Sequence, residues 1–162
     1  MSPPHPTIDF VEGQASAFDK DCADCPAQYA GGEGTPRNKW ERVRTKLSAL
    51  DTRKLHNVKL PENHIVIDFD IPDEQGQKSF ERNLAEASKW PATYAEVSKS
   101  GCGIHLHYIY SGDPARLSRI YDDHIEVKVF TGNSSLRRKL SKCKNLPIAT
   151  ISSGLPLKGE NN

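Results

Sequence analysis

Several features common in other protein classes are missing from this sequence of 162 residues. No apolar run approaches the roughly 18 residues that a membrane-spanning helix requires. The opening segment, residues 1–6, is polar and rich in proline, unlike a secretory signal peptide. The chain also lacks the Gly-x-x-x-x-Gly-Lys-[Ser/Thr] motif that cradles phosphates in P-loop enzymes. We therefore expect no membrane partner and no helicase motor within these residues.

Cysteine is scarce too, and the chain has only Cys22, Cys25, Cys102 and Cys143. In the absence of a secretory signal, this small number favours a reduced, cytoplasmic protein over a disulfide framework. Cys22 and Cys25 have the spacing of half a zinc site, for which Cys143 and His5 are the available partners. Whether that pair binds zinc stays open at the level of sequence.

A net excess of either charge is absent, because 22 basic and 21 acidic residues nearly cancel. The charges are nonetheless segregated along the chain. Segment 37–59 carries eight basic and two acidic residues, segment 62–81 six acidic and one basic, and segment 127–159 seven basic and no acidic ones. This order predicts an acidic centre flanked by surfaces that bind a polyanion, with solvated surface charge as the alternative explanation.

The hydrophobic pattern predicts a single domain in which residues 1–59 form an arm and residues 60–158 form the compact core. We expect residues 1–35 to be largely irregular, because they show little periodicity. Asn38 can cap a basic helix that continues to Leu50, since apolar residues recur there at helical spacing.

Within the core, the sequence predicts an α/β (α+β) fold. Strands are expected at 64–70, 93–98, 103–110 and 124–130, with helices at 77–89 and 114–121. The resulting order β-α-β-β-α-β is the split arrangement of RNA-recognition-like (RRM-like) domains. A basic helix at 134–143 and a short strand at 148–151 complete the prediction.

Polar residues occupy one face of three predicted strands. Because successive side chains alternate between faces, Asp68 and Asp70 point the same way, and so do Glu126 and Lys128. His105 lies on the strand between them in sequence. Paired carboxylates are hard ligands for Mg²⁺ or Mn²⁺, and two such ions can activate a hydroxyl and neutralise a leaving pyrophosphate. An isolated Asp-x-Asp can also be a simple turn cap, so the argument rests on the three strands together.

Three short motifs resemble those of the archaeo-eukaryotic primase superfamily. The first is hydrophobic-Asp-hydrophobic-Asp, the second is a turn of small residues that ends in His, and the third is a hydrophobic-acidic pair. Here they are Ile67-Asp68-Phe69-Asp70, Ser98-Lys99-Ser100-Gly101-Cys102-Gly103-Ile104-His105 and Ile125-Glu126. Their order and spacing over residues 60–155 resemble the primase-polymerase domains of phage and plasmid replication proteins.

The resemblance implies a nucleotidyltransferase, a DNA primase or DNA-directed polymerase, that uses Mg²⁺ or Mn²⁺. Asp68, Asp70 and Glu126 would hold the metal ions, and His105 would complete the catalytic set. The residues expected to bind the nucleotide are Ser100, Gly101, Gly103, His105, Lys128, Arg137 and Arg138. Many relatives carry serine where this chain has Gly103, so the resemblance leaves a backbone amide for phosphate contact at that position.

The same resemblance implies a single-stranded DNA template and nucleoside triphosphates as partners, in the cytoplasm of a bacterial host. A helicase is a further expected partner, either as a separate protein or in a longer chain that includes these residues. Priming and extension are equally open.

Two other functions remain open at this point. His105-Leu106-His107 fits the one-metal motif of rolling-circle initiators and relaxase-like (HUH) nucleases, which attack DNA with a tyrosine such as Tyr121. That hypothesis leaves Asp68 and Asp70 without a role. A non-catalytic nucleic-acid-binding module is the other alternative, although it would require exposed aromatic side chains on the central strands.

Overall fold

A computed structural model describes residues 7–12 and 16–159, and it confirms a mixed α/β chain rich in sheet. The two α-helices are α1 (Ala17–Asp21) and α2 (Phe80–Ala87), and single 3-10 turns span Trp40–Arg42, Leu47–Ala49 and Pro114–Arg116. The strands are β1 (Val11–Glu12), β2 (Ala27–Tyr29), β3 (His56–Val58), β4 (His64–Phe69), β5 (Ala95–Val97), β6 (Ile104–Tyr110), β7 (Ile120–Asp122), β8 (Ile125–Lys128), β9 (Leu136–Arg138), β10 (Lys142–Lys144) and β11 (Ala149–Ile151). Within these described ranges, none of the helices combines the length and apolar character needed to cross a membrane.

The main sheet has eight strands in the order β1-β10-β5-β6-β4-β8-β7, and β11 pairs with the second half of β6. β4 lies at the centre of the core, and Ile65, Ile67 and Phe69 are fully buried on one of its faces. The neighbours of β4 are β6 and β8, both antiparallel to it. This arrangement confirms the predicted strands at 64–70, 93–98, 103–110, 124–130 and 148–151.

The predicted helix at 77–89 is present as α2, which starts where the side chain of Ser79 accepts a hydrogen bond from the backbone N–H of Arg82. The second predicted helix, at 114–121, is wrong. Only the turn Pro114–Arg116 forms, and the chain then extends into β7, which pairs with β8 as a hairpin. The space on that face is filled instead by the C-terminal segment, where Leu157 forms a β-bridge with Leu117.

The two basic helices predicted outside the core elements are also wrong. Segment 38–50 forms only two short 3-10 turns, and it pairs with residues 25–27, for example through Leu47 N–H to Cys25 O at 2.9 Å. Segment 134–143 forms β9 and β10. Its buried residues, Leu136, Arg138 and Leu140, recur at a period of two, and the helical prediction failed because it took Arg138 for a surface charge.

The two faces of the main sheet are covered differently. Helix α2 and the C-terminal segment pack over Ile65, Ile67 and Phe69. Part of the opposite face is covered by α1 and by a small sheet of β2, β3 and β9. In this small sheet, two strands of the predicted arm, residues 1–59, pair with one strand of the predicted core. The uncovered part of that face is where the predicted site residues lie.

Candidate active site

A single row of polar residues crosses four neighbouring strands of the main sheet. Glu96 on β5 is opposite His105 on β6, His105 is opposite Asp68 on β4, and Asp68 is opposite Glu126 on β8. Cα partners in register present their side chains on the same face. The tertiary structure therefore places three residues from three distant motifs side by side, and adds Glu96 to them.

Asp68 is the centre of this row. Its Oδ1 atom is 3.1 Å from Nε2 of His105, and its Oδ2 atom is 3.3 Å from Nζ of Lys128. Partial burial alone would raise the pKa of the Asp68 carboxyl, but the hydrogen bond and charge of His105 and the charge of Lys128 outweigh it. The pKa of Asp68 is consequently lower than usual, so the carboxylate is ionised at neutral pH.

Two clefts meet at Asp68 and Asp70. The first, which we call the basic cleft, has a volume of about 430 Å³ and is lined by cationic side chains and by the turn before β6. Its cationic side chains belong to Lys78, Lys99, Lys128, Arg137 and, when protonated, His105. The second, the acidic cleft, has a volume of about 390 Å³, and its walls include Asp122, Asp123, Glu126 and Arg119. The two adjoining clefts therefore have opposite charge character.

The wall shared by the clefts offers suitable donors for a divalent cation. Asp68 and Asp70 of this wall, with Glu126 of the acidic cleft beside them, provide carboxylate oxygens, the atoms that Mg²⁺ and Mn²⁺ prefer. Within residues 7–12 and 16–159, no three His, Cys, Asp or Glu side chains lie close enough together to hold an ion. Mg²⁺ often keeps several waters and uses one or two carboxylates, so the donors fit such an ion without a closed cage. An ion at Asp68 would compete with Lys128 for Oδ2.

The turn between β5 and β6 is held by its own hydrogen bonds. Gly101 has φ +83°, and its N–H donates to the carbonyl of Ser98. The N–H of Gly103 donates to Oγ of Ser98 at 3.0 Å, and that of Cys102 donates to Oγ of Ser100 at 3.3 Å. The Gly103 amide, which is expected to contact phosphate, thus already has a partner within the turn, and the hydroxyl-bearing Ser98 and Ser100 line the basic cleft.

Asn83 of α2 fixes the position of this turn. Its side-chain amide donates to the carbonyl of Cys102 at 2.9 Å and accepts from the N–H of Ile71 at 2.7 Å. Asn83 is fully buried. One amide group therefore ties the loop after β4 to the turn before β6, a role that no local pattern in the sequence indicates.

Arg137 and Arg138 have opposite environments. Arg137 is exposed and lines the basic cleft, as predicted for a nucleotide-binding residue. Arg138 is 2% exposed and lies between the small sheet and the main sheet. The prediction that it contacts a nucleotide is therefore wrong. The guanidinium of Arg138 is 2.6 Å from Glu96 Oε2 and 2.7 Å from Asp19 Oδ1, and it stacks 4.3 Å from the ring centre of Phe18.

Glu96 is a neighbour of the candidate site residues that the sequence pattern did not predict. Complete burial disfavours its charge, but the ion pair with Arg138 outweighs this effect and keeps the pKa of Glu96 below its usual value. The signal was present, because Glu96 stands between Ala95 and Val97 in a predicted strand where an acidic residue would be buried. A buried carboxylate requires a cation, and Arg138 is that cation.

His107 and Tyr121 do not join His105. His107 is fully buried, and its Nδ1 atom is 2.9 Å from Nε2 of His64. Phe18 packs 4.9 Å from the His107 ring and covers it. Tyr121 lies on the other side of the sheet, where its ring is 4.9 Å from that of Trp90. The three residues of the nuclease hypothesis therefore have no common cleft.

Cys22 and Cys25 form a pair at the end of α1. Their thiols are hydrogen-bonded to each other, and this bond together with burial raises the pKa of Cys22. No third His, Cys, Asp or Glu ligand joins them among the described residues, and His5 lies outside those residues. All four cysteines are free thiols.

Comparisons with known proteins add nothing to this description. No protein-family model matches the sequence, and no curated protein matches it either.

Proposed function

We propose that this protein transfers nucleotidyl groups from nucleoside triphosphates to the 3′ end of a strand paired with a DNA template, as a primase, a polymerase or both. One observation carries the proposal: Asp68 and Asp70 form the wall between a basic cleft and an acidic cleft. A reaction that joins two substrates needs two adjoining binding spaces with the catalytic groups between them.

The basic cleft suits the triphosphate. Lys128, Lys99 and Arg137 place positive charge around a space large enough for a nucleotide, and charge-assisted hydrogen bonds to phosphate oxygens are the strong ones. The acidic cleft would hold the end of the growing strand, with Arg119 as its cationic contact. The guanidinium of Arg119 is also 3.7 Å from the carboxylate of Glu126, so Arg119 is positioned by a member of the row of polar residues.

Each polar residue of the row then has a distinct role. Mg²⁺ or Mn²⁺, held by one or two of the carboxylates of Asp68, Asp70 and Glu126 and by water, would neutralise charge on the leaving pyrophosphate and promote ionisation of the attacking hydroxyl. His105 is held by Asp68, which orients its ring toward the basic cleft and the phosphates. Glu96, which is paired with Arg138, lies on β5 directly opposite His105 and supports that side of the row.

The strand order supports the same proposal. β8, β4, β6 and β5 are adjacent in that order, and α2 connects β4 to β5. This is the order of a split β-α-β unit, in which the first strand lies between the third and the fourth. It puts the aspartate pair in the middle, with the histidine and the glutamate motifs on either side. The partners proposed with it are single-stranded DNA and a helicase, in the cytoplasm of a bacterial host.

The test is incorporation of labelled nucleotides on a primed and an unprimed single-stranded template with Mg²⁺ or Mn²⁺. We expect lengthened or new strands from the wild-type protein, none from Asp70→Asn, and near wild-type yield from Tyr121→Phe. Mn²⁺ binding measured by calorimetry should weaken strongly in Asp68→Ala/Asp70→Ala. A covalent protein–DNA band that disappears in Tyr121→Phe would refute the proposal in favour of a tyrosine nuclease.

A further inference from the structure

The turn that follows α1 brings two thiols together. The N–H of Cys25 donates to the carbonyl of Cys22 at 3.0 Å, which closes a turn of four residues. Such turns hold their end Cα atoms within about 7 Å of each other, and disulfides join Cα atoms that are roughly 4.4–6.8 Å apart. The backbone therefore already has the spacing that a bond between Cys22 and Cys25 requires.

Two neighbouring segments hold this turn in place. On one side, the N–H of Cys22 donates to the carbonyl of Phe18 in α1 at 2.9 Å. On the other side, the carbonyl of Cys25 accepts from the N–H of Leu47 at 2.9 Å. Because the turn is fixed at both ends, the two thiols meet in the native protein without any rearrangement of the fold.

The two thiols have different environments. Cys22 is 4% exposed and belongs to the same core as Phe18 and Leu47, whereas Cys25 is partly exposed. The thiol of Cys22 is hydrogen-bonded to that of Cys25, and this bond outweighs burial and lowers the pKa of Cys25. The thiolate is the form of cysteine that attacks a disulfide. A reagent in solution therefore meets Cys25 first, with Cys22 held behind it.

The surroundings of the pair favour a disulfide over a metal ion. A structural zinc site has four ligands. In the part of the chain that the structure describes, no third His, Cys, Asp or Glu side chain joins the two thiols. Asp24, which lies within the turn, is exposed and has its Oδ1 atom 3.6 Å from Nζ of Lys46. Two thiols that share a closed turn without a further ligand are arranged to bond to each other.

We propose that Cys22 and Cys25 are a reversible dithiol–disulfide site, at which the partly exposed Cys25 reacts first with a low-molecular-weight disulfide and the buried Cys22 completes the bond. The reaction does not depend on the nucleotidyl transfer proposed above.

The chemistry is two successive thiol–disulfide exchanges. The thiolate of Cys25 attacks one sulfur of the reagent, and the other half departs as a thiolate that takes up a proton. The thiol of Cys22 then loses its proton and attacks Sγ of Cys25, which releases the second half of the reagent as a thiol. Two protein thiols are thus oxidised to one disulfide, and the disulfide reagent is reduced to two thiols.

The test uses the native protein in mixtures of oxidised and reduced glutathione, with free thiols identified by alkylation and mass spectrometry. As the oxidised fraction rises, we expect one disulfide that joins Cys22 and Cys25, and an excess of reduced glutathione should reverse it. Cys102→Ala removes the other partly exposed thiol, so it is the matched control and should leave this disulfide unchanged. Native protein that keeps both thiols in oxidised glutathione alone would overturn the proposal.

Single substitutions test the order of the two steps. In Cys22→Ser the second thiol is absent, so one glutathione should stay attached to Cys25. In Cys25→Ser the buried Cys22 should react at least about tenfold more slowly. The alkylation rate of each thiol in the unsubstituted protein reports the same order, so the test does not depend on the folding of a variant. A rate at Cys22 that equals or exceeds the rate at Cys25 would overturn the assigned order.

Metal analysis separates the disulfide from the other use of such a pair. The purified, reduced protein should contain far less than one zinc ion per chain. One equivalent of zinc that is released only when Cys22 and Cys25 are alkylated would overturn the proposal in favour of a metal site.

Discussion

The ammonium group of Lys128 lies 3.3 Å from Oδ2 of Asp68, so a cation of the protein itself occupies one side of the carboxylate proposed to bind a metal ion. The pair joins β8 to β4, and its members are only partly exposed. A divalent ion and a nucleotide phosphate can each break this ion pair, because the ion would bind the Asp68 carboxylate and the phosphate would bind the Lys128 ammonium. Binding of metal and nucleotide should therefore depend on Lys128 in opposite ways.

Removal of the Lys128 charge should strengthen one ligand and weaken the other. In Lys128→Met, the affinity for Mn²⁺ without nucleotide should rise several-fold, because no ammonium competes for Asp68. The KM for the nucleotide should rise about tenfold, because a charge-assisted contact to phosphate is lost. Calorimetry and steady-state incorporation measure the two effects. Lys142→Met, an exposed change on β10, is the control. A parallel loss of both affinities would contradict the shared use of Lys128.

The adjacent arginines of β9 should separate stability from binding. Arg138→Met leaves Glu96 as a buried carboxylate without its cation, and we expect the free energy of unfolding to fall by about 3–5 kcal/mol. Arg137→Met should change it by less than about 0.5 kcal/mol, since that side chain is exposed, but should weaken nucleotide binding. Chemical denaturation provides the stabilities. Glu96→Gln/Arg138→Met removes both charges and should recover part of the loss. Equal stabilities of the two single variants would show that Arg138 is not the cation that Glu96 requires.

Stability should fall in mildly acidic solution because of buried histidines. Burial lowers the pKa of His64 from 6.5 to about 4, and it lowers the pKa values of His107 and His56 in the same direction. The unfolded chain therefore binds more protons than the folded chain once the pH is below about 6.5. The free energy of unfolding should drop as pH falls from 6.5 toward 4, by about 1.4 kcal/mol per pH unit for each histidine that titrates only when unfolded.

The carboxylates with lowered pKa values, Asp68 and Glu96, lose their stabilising contribution only below about pH 5, where the unfolded carboxyls begin to protonate, so the slope between pH 6.5 and 5 reports the histidines. Denaturation at a series of pH values gives the slope, which should be smaller in His64→Gln and unchanged in His124→Gln, a substitution of an exposed histidine. A flat profile between pH 6.5 and 4 would argue against neutral, buried imidazoles.

Affinity for single-stranded DNA should fall steeply with salt, because exposed basic residues after β8 release counterions from the phosphates. Arg138 cannot take part, since it is buried and paired. Arg137→Ala/Lys139→Ala should therefore reduce the slope of log K against log salt by roughly 1.4. Lys89→Ala is the control, because that lysine already pairs with Glu86 at 3.1 Å on the helix side of the sheet. An unchanged slope in the double variant would place the DNA contact elsewhere.

Local patterns were sufficient for the central strands and for the face that the candidate site residues share. The run from His64 to Asp70 is apolar on one face and polar on the other, and this alternation is a property of the strand itself. It determined that Asp68 and Asp70 share a face before any partner strand was known. The strands that carry His105 and Glu126 followed from the same rule, and the structure places both beside Asp68.

The same reasoning failed where the decisive partner is distant in sequence. Arg138 looked like surface charge because its partner Glu96 lies 42 residues away. The prediction of a helix at 114–121 was wrong because the end of that segment pairs with the edge of β8, and this pairing outweighed a weak local helical pattern.

The sequence by itself determined which face of its own strand each candidate site residue occupies, because side-chain alternation depends only on the backbone of that strand. The tertiary structure alone decided that Glu96, His105, Asp68 and Glu126 form one row, and that the hydroxyl of Ser98 fills the space beside Gly103. Register and close approach depend on contacts between segments that are far apart in the chain, and such contacts exist only after folding has brought the strands together.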